Sequence, residues 1–161
     1  MTLYHFTDSR NLLLIRKYGL LSWKRLVQRN IMHWPASSED SRKLDARLNL
    51  EDYIRLCTRR EHPMAIRALH EGRIKNYVWL EINDVVTRWT ATLYSNDNAV
   101  AKRAIINNNS RTALESNSIQ AEILVMGGLN AKWINFPEVS VPLNNAKAQI
   151  ANDDFDFEMP Y

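Results

Sequence analysis

The sequence predicts an α+β fold, and three observations carry that expectation. The run YVWLEI at 77–82 and the apolar part of SIQAEILVMGG at 118–128 have the shortness and β-branched content of strands. Stretches with helical periodicity are few and lie apart, chiefly at 10–18 and 63–71. The two kinds of signal do not alternate regularly, as they would in a doubly wound sheet.

Taken in order, residues 3–6 alternate enough for a short first strand. Asp8 or Ser9 can cap a helix over 10–18, with Leu12, Leu13, Leu14 and Ile15 as its apolar face. Gly19 should close that helix in the left-handed conformation. Residues 22–36 read as irregular or partly helical, broken at Trp34-Pro35. Residues 40–47 suit a helical turn, and 50–56 lead towards a strand. Pro63 opens a helix to about Glu71, ended by Gly72. Beyond the strand at 77–82, Asn83 and Asp84 can cap a short helical turn. A further strand is expected at 91–94 and a short helix at 99–105. Residues 107–118, with three consecutive asparagines, read as an exposed loop. Ile119, Ala121, Ile123, Leu124 and Val125 then form a buried strand closed by Gly127-Gly128, with short strand candidates at 132–136 and 139–141. No repeat or linker interrupts the chain, so residues 1–161 read as a single domain with an acidic tail from about 150 to 161.

Composition narrows the function classes. A chain of 161 residues, 45% apolar and 24% charged, can bury a core without disulfides or metal. Cys57 is the single cysteine, which excludes a disulfide framework and fits a reducing cytoplasm. The start MTLYHFTD lacks the basic and apolar regions of a signal peptide, and no apolar run approaches a spanning helix, so no membrane role is expected. Four glycines leave no room for a Gly-rich phosphate loop. The net charge of +3 is uneven: residues 1–75 carry 15 Lys/Arg against 8 acids, and the tail at 153–158 adds four acids and no base. Basic residues interleaved with Tyr18, Trp23, Trp34 and Tyr53 suit a polyanionic partner, against the plainer reading of a solvated basic face.

Several residues invite a chemical reading. His5, His33, His62 and His70 are far apart and show no ligand spacing, so no metal site is expected. No nucleophile elbow is present. His5 lies in the first strand. On the strand alone, a half-buried histidine satisfied by a backbone partner is the preferred reading, and a ligand-facing imidazole with Thr7 nearby the other. Arg42 and Arg47 are five apart and do not share a helix face. Each is a surface arginine or a fork for phosphate or carboxylate. Glu122 stands inside an apolar strand, where a carboxylate costs several kcal/mol to bury unless it is paired. Alternation puts Gln120 on the same face, which is poor core design and suggests a cleft.

These segments also occur in a telling order: LYHFT, then Asn11, Leu12, Ile15, Gly19 and Leu20, then SRKLD and LEDYIRL, then HPM, then QAE with LV two residues on. Together they resemble the DarT family of DNA ADP-ribosyltransferase toxins, over about residues 3–136. The resemblance implies an ADP-ribosyltransferase-like split β core with flanking helices, similar to poly(ADP-ribose) polymerases. It implies NAD as co-substrate in a cleft, no metal, and transfer of ADP-ribose to a base in single-stranded DNA with release of nicotinamide. It further implies a toxin of a toxin–antitoxin or anti-phage system, countered by a macrodomain-type ADP-ribosyl hydrolase. Glu122 matches the family's catalytic glutamate. The family's essential arginine between the first helix and the DY motif matches Arg42 or Arg47, and Arg47 lies nearer that motif. His5, with Thr7 beside it, matches the position at the ribose and nicotinamide end of NAD. Tyr53 and Met64 match pocket positions, and Gln120, just before the catalytic glutamate in its motif, is expected with them and His5 and Thr7 to bind NAD. The loop at 107–118, through Asn109 and Arg111, is expected to meet the acceptor strand. IRLCTRREHPM after the DY motif is more basic and less aromatic than in many relatives, which leaves thymine or guanine open as the base.

The expected mechanism follows from charge. Breaking the nicotinamide–ribose bond develops positive charge on the ribose, and a carboxylate fixed at the ribose hydroxyls stabilises that state more than bound NAD. A strand can hold such a carboxylate rigidly, which explains a glutamate where valine would pack. The rivals are a transferase acting on RNA or protein, a nucleic-acid-binding module without turnover, and a bland α+β interaction domain.

Overall fold

The computed structural model describes residues 1–138, whose strands form one seven-stranded sheet and a separate two-stranded ribbon. The strands are β1 (Thr2–Asp8), β2 (Leu20–Leu21), β3 (Tyr53–Cys57), β4 (Tyr77–Asn83), β5 (Leu93–Ser95), β6 (Ile106–Asn107), β7 (Glu122–Met126), β8 (Gly128–Leu129) and β9 (Ile134–Asn135). The large sheet runs β6-β5-β7-β3-β1-β4-β9, and β2 pairs with β8 in the ribbon. Every pairing is antiparallel. The helices are α1 (Leu12–Tyr18), α2 (Trp23–Gln28), α3 (Glu39–Arg47), α4 (Pro63–His70) and α5 (Arg111–Leu114).

One feature of the register positions the site. β1 pairs with β4 along its whole length, from Thr2↔Asn83 to Asp8↔Tyr77. β3 pairs with β7 from Tyr53↔Met126 to Cys57↔Glu122. Yet β1 and β3 meet only at Tyr4↔Cys57. The sheet is therefore two halves, β6-β5-β7-β3 and β1-β4-β9, joined at a single residue pair. This is the split core that the family resemblance implies.

Burial holds each half in place. Leu3, Ile54, Leu56, Leu80, Ile82, Ile123 and Val125 join Leu12 and Ile15 of α1 in the main core. A smaller cluster of Leu50, Ala99 and Leu124 packs with Tyr53, Leu93 and Ile106. Apolar side chains buried this fully contribute roughly 1.5–3 kcal/mol each. Among the described residues no helix is long and apolar enough to cross a membrane.

Asp8 fastens the far end of β1. It is fully buried. Its carboxylate accepts from Arg10 Nε and Nη2, each at 2.8 Å, and from the backbone N–H of Arg10 at 2.9 Å and of Lys75 at 3.1 Å. Burial pushes its carboxyl upward, but the hydrogen bonds and charge of Arg10, with the Lys75 N–H, outweigh it and hold the group below 3.8. Capping by Asp8 starts a 3-10 turn over Ser9–Asn11, so α1 begins at Leu12 rather than at residue 10.

Other expectations need correcting. Gly19 ends α1 with φ +77° but ψ −179°, an extended variant open to glycine rather than the left-handed helical one. A side chain there would also strike the Leu129 carbonyl. The expected helix at 99–105 is a series of turns, and the strand expected at 91–94 is Leu93–Ser95. The loop expected at 107–118 contains the end of β6 and all of α5, with Ala113 buried, because Ser116 and Ser118 tie it to Asn96 and Asp97. The strand expected from Ile119 begins at Glu122, and Ile119 is exposed. Of 132–136 only Ile134–Asn135 is strand. The candidate at 139–141 and the acidic tail lie outside the described residues.

Asp8→Ala should lower stability by about 3 kcal/mol, because it removes a buried acceptor shared by a cap, an ion pair and Lys75. Urea midpoints of the two proteins measure this, and an unchanged midpoint would show that β1 is held by other contacts.

Candidate active site

Where the two halves of the sheet part, a cavity of about 250 Å³ opens. β1 lends it His5 and Thr7, β3 lends Tyr53 and Arg55, and β7 lends Glu122. Asp45 enters from α3, and His62 and Met64 from the start of α4. Trp23, His33 and Trp34 close the side formed by α2 and the segment after it.

Glu122 is the most buried carboxylate lining the cavity. It is 6% exposed at the first residue of β7. Its Oε2 accepts from Arg55 Nη1 at 2.8 Å and from the Ala99 backbone N–H at 2.8 Å. Its Oε1 makes no hydrogen bond among the described residues. Two charge-assisted bonds offset the cost of removing this carboxylate from water. Arg55 reaches Glu122 because the strand register sets Cys57 opposite Glu122 and Leu124 opposite Arg55, which makes Arg55 and Glu122 diagonal neighbours. Arg55 Nη2 also donates to Asp45 Oδ1 at 2.5 Å. Burial raises the Asp45 carboxyl above its usual value, against the lowering pull of Arg55, and the Glu122 charge adds to the rise.

His5 carries a defined tautomer. Its Nδ1 lies 2.9 Å from the Arg55 carbonyl, which can only accept, so Nδ1 holds the proton and Nε2 is left as an acceptor. Burial lowers the His5 pKa and this hydrogen bond only partly restores it, so the ring is neutral at pH 7. The bond also bridges the split, from β1 to the backbone of β3. The half-buried histidine with a backbone partner and the cavity-facing histidine are thus one residue.

The aromatic side is equally fixed. Buried Asn11 donates to the Thr7 hydroxyl at 3.1 Å and to the Trp34 carbonyl at 2.8 Å, and it accepts from the Trp34 N–H at 2.9 Å. Arg10 lies over the Trp34 ring at 4.7 Å, and Trp23 meets His33 edge to face at 5.2 Å. Flat rings on a clamped segment suit a flat ligand ring.

The sequence-derived candidates divide. Glu122, His5, Thr7, Tyr53 and Met64 come together around the cavity. Arg42 and Arg47 do not line it, and neither bonds to Glu122. Arg42 donates to Ser37 and lies 4.3 Å over the Trp23 ring, behind the wall. Arg47 is exposed at the end of α3. Gln120 sits in the turn before β7, not on a shared strand face, and does not line the cavity. Asn109 and Arg111 are exposed outside the cavity, and Arg111 pairs with Glu115 at 3.6 Å. The residue missed was Arg55. Its signal was present: a charge within YIRLC is as anomalous as the one within EILV. Among the described residues no group of three or more His, Cys, Asp or Glu could hold a metal ion.

Comparison with known proteins adds a lineage to this geometry. The family model described as "ssDNA thymidine ADP-ribosyltransferase, DarT" matches residues 4–140. No curated protein sequence matches the chain. Among solved structures, Thermosipho africanus DarTG in complex with ADP-ribose superposes with a TM-score of 0.72 at 19% identity, covering 95% of this chain and 48% of that one. This chain thus spans about half the length of that relative. Thermus sp. 2.9 DarT in complex with ADP-ribosylated ssDNA gives 0.64 at 16% identity, with 93% and 88% covered. The same Thermus protein in complex with NAD+ gives 0.58 at 18%, with 83% and 79% covered. These likenesses establish the fold.

Burial lowers the pKa of His5, His33 and His62 below 6.5. The unfolded chain therefore takes up protons more readily, so their stabilisation is complete above 6.5 and is lost as pH falls through it towards the folded values. The urea midpoint should fall between about pH 7.5 and about pH 5.5. Equal midpoints would mean that these rings are not desolvated.

Proposed function

The chain belongs to the DarT family, the ssDNA thymidine ADP-ribosyltransferases, and from that premise we propose that it transfers ADP-ribose from NAD to a thymidine base of single-stranded DNA, with Glu122 as the catalytic carboxylate. One observation carries the assignment of Glu122: it is buried at the cleft with Oε2 tied twice and Oε1 unengaged. Asp8, the buried carboxylate with a structural role, has both oxygens engaged instead.

The cavity's residues fit NAD. His5 Nε2 is an acceptor for a ribose hydroxyl, and Oε1 of Glu122 is a second. Trp23, Trp34 and Tyr53 offer ring faces, and Thr7, Asn11 and Met64 shape the wall. NAD supplies the ribosyl carbon and nicotinamide as the leaving group. Glu122 then opposes the positive charge that grows on the ribose as that bond breaks, an interaction stronger in the transition state than in the ground state. Arg55 holds the carboxylate in place through its Nη1 bond to Oε2. The solved relatives named with NAD+, ADP-ribose and ADP-ribosylated ssDNA support this reading.

The acceptor strand approaches from the loops beside Glu122. The turn carrying Asn98, Ala99 and Val100 touches the cavity, and Ser116 and Ser118 lash the segment with Asn109 and Arg111 to Asn96 and Asp97, just before that turn. We assign Asn109 and Arg111 to contacts with the DNA. Arg47, exposed at the end of α3, serves its phosphates, and Arg42, over the Trp23 ring, stays outside the cavity rather than at the reacting ribose. The working context is a cytoplasmic toxin paired with an antitoxin of the macrodomain hydrolase type. The DarTG relative supports the pairing.

Intact mass of single-stranded oligonucleotides, after incubation with this protein and NAD, tests the activity. A gain of one ADP-ribose on thymidine-containing DNA is expected, with none on thymidine-free DNA. A gain confined to RNA, to guanine or to protein would overturn the acceptor, and no gain on any of them would overturn the activity.

A further inference from the structure

We propose that Asp45 is a positioning residue that keeps Oε1 of Glu122 free by holding Arg55 to a single oxygen of that carboxylate. The inference rests on the reading of Glu122 as the catalytic carboxylate. It concerns what α3 brings to the cavity. The arginines of α3 lie outside it, whereas its half-buried aspartate lines it.

A guanidinium that faces one carboxylate favours two parallel hydrogen bonds, one to each oxygen. That arrangement would occupy Oε1, the atom needed by the ribose hydroxyl. Here the fork is divided. Nη1 donates to Glu122 Oε2 at 2.8 Å, and Nη2 donates to Asp45 Oδ1 at 2.5 Å. The Ala99 N–H takes Oε2 as well, so both protein donors crowd onto one oxygen. Division has a visible cost. Among the described residues, buried Arg55 Nε has no hydrogen-bond partner. Closing the fork on Glu122 would recruit a second Arg55 donor to that carboxylate, and a buried unpaired donor makes such a rearrangement favourable. The pull of Asp45 on Nη2 is what opposes it. Cys57, across the strand pair from Glu122, is held as a neutral thiol by burial and supplies no competing charge.

Asp45 therefore acts through Arg55 and touches no reacting atom. Without it, Arg55 swings wholly onto Glu122 and the ribose loses its acceptor, although the ion pair itself becomes stronger. Ordinary structural loss predicts the opposite, a weaker pair and a looser site.

Steady-state transfer by the unaltered chain, Asp45→Ala, Asp45→Asn and Asp45→Ala/Arg55→Lys tests this, beside a crystal structure of Asp45→Ala. Asp45→Ala should lower kcat on the order of 10²-fold, as for a misplaced catalytic group, with KM for NAD little changed. Asp45→Asn keeps an oxygen acceptor for Nη2 and should retain most of kcat. Adding Arg55→Lys to Asp45→Ala should recover activity, because a lysine cannot close a two-point fork. The crystal structure should show Arg55 bonded to both oxygens of Glu122. Unchanged kcat in Asp45→Ala, a double variant no better than the single one, or Arg55 still on Oε2 alone would each overturn the inference. If the unaltered chain transfers nothing, the proposed function fails, and the crystal structure still decides where Arg55 goes.

Discussion

The ion pair between Arg55 and Glu122 is the constraint around which the rest is arranged. A buried salt bridge is weak evidence for stability, since two desolvated charges cost nearly as much as their attraction returns. Replacing the pair with apolar residues would suit the core at least as well. What the pair provides is a negative charge fixed on a strand at the mouth of a cleft. The antiparallel register of β3 and β7 makes the two residues diagonal neighbours. The Ala99 N–H and Asp45 then hold the two ends of the arrangement.

The split of the sheet gives that charge somewhere to act. A continuous ladder between β1 and β3 would satisfy the backbone and close the space. Instead the halves touch at Tyr4↔Cys57, and His5 spans the gap with a side chain bonded to the Arg55 carbonyl. One backbone position on β3 thus serves both sides of the site: its side chain holds the carboxylate and its carbonyl sets the histidine tautomer. Glu122, Arg55 and His5 sit on strands, where geometry is most rigid. The ring-bearing wall is carried by α2 and the irregular segment after it, and Asn11 ties Trp34 of that segment to Thr7 of β1.

Much of this was legible in the sequence, for identifiable reasons. Strands with strong β-branched character, helix caps and glycine stops are local signals, and 77–82, Pro63 and Gly72 were read from them. Glu122 was legible because a charge in an apolar strand is anomalous. Arg55 carries the same kind of anomaly but was hidden by its neighbours: Arg59 and Arg60 follow it in a run that reads as a basic surface. Only the pairing of strands 67 positions apart separates Arg55 from them. The arginines of α3 were placed by sequence order, whereas helix orientation faces Asp45 inward and leaves Arg47 exposed. At 99–118 the chain is ordered by side-chain tethers, Ser116 to Asn96 and Ser118 to Asp97, which no periodicity announces.

Glu122→Gln tests the role of the carboxylate most directly, because it removes the charge and keeps the shape and an oxygen acceptor. The measurement is nicotinamide release from NAD in the presence of thymidine-containing single-stranded DNA, with far-UV circular dichroism to confirm the fold. Release should fall by roughly 10²–10³-fold, the loss typical when one electrostatic stabiliser is removed, with the fold intact. Release at the rate of the unaltered chain would show that the buried carboxylate is structural and that the charge on the ribose is met elsewhere.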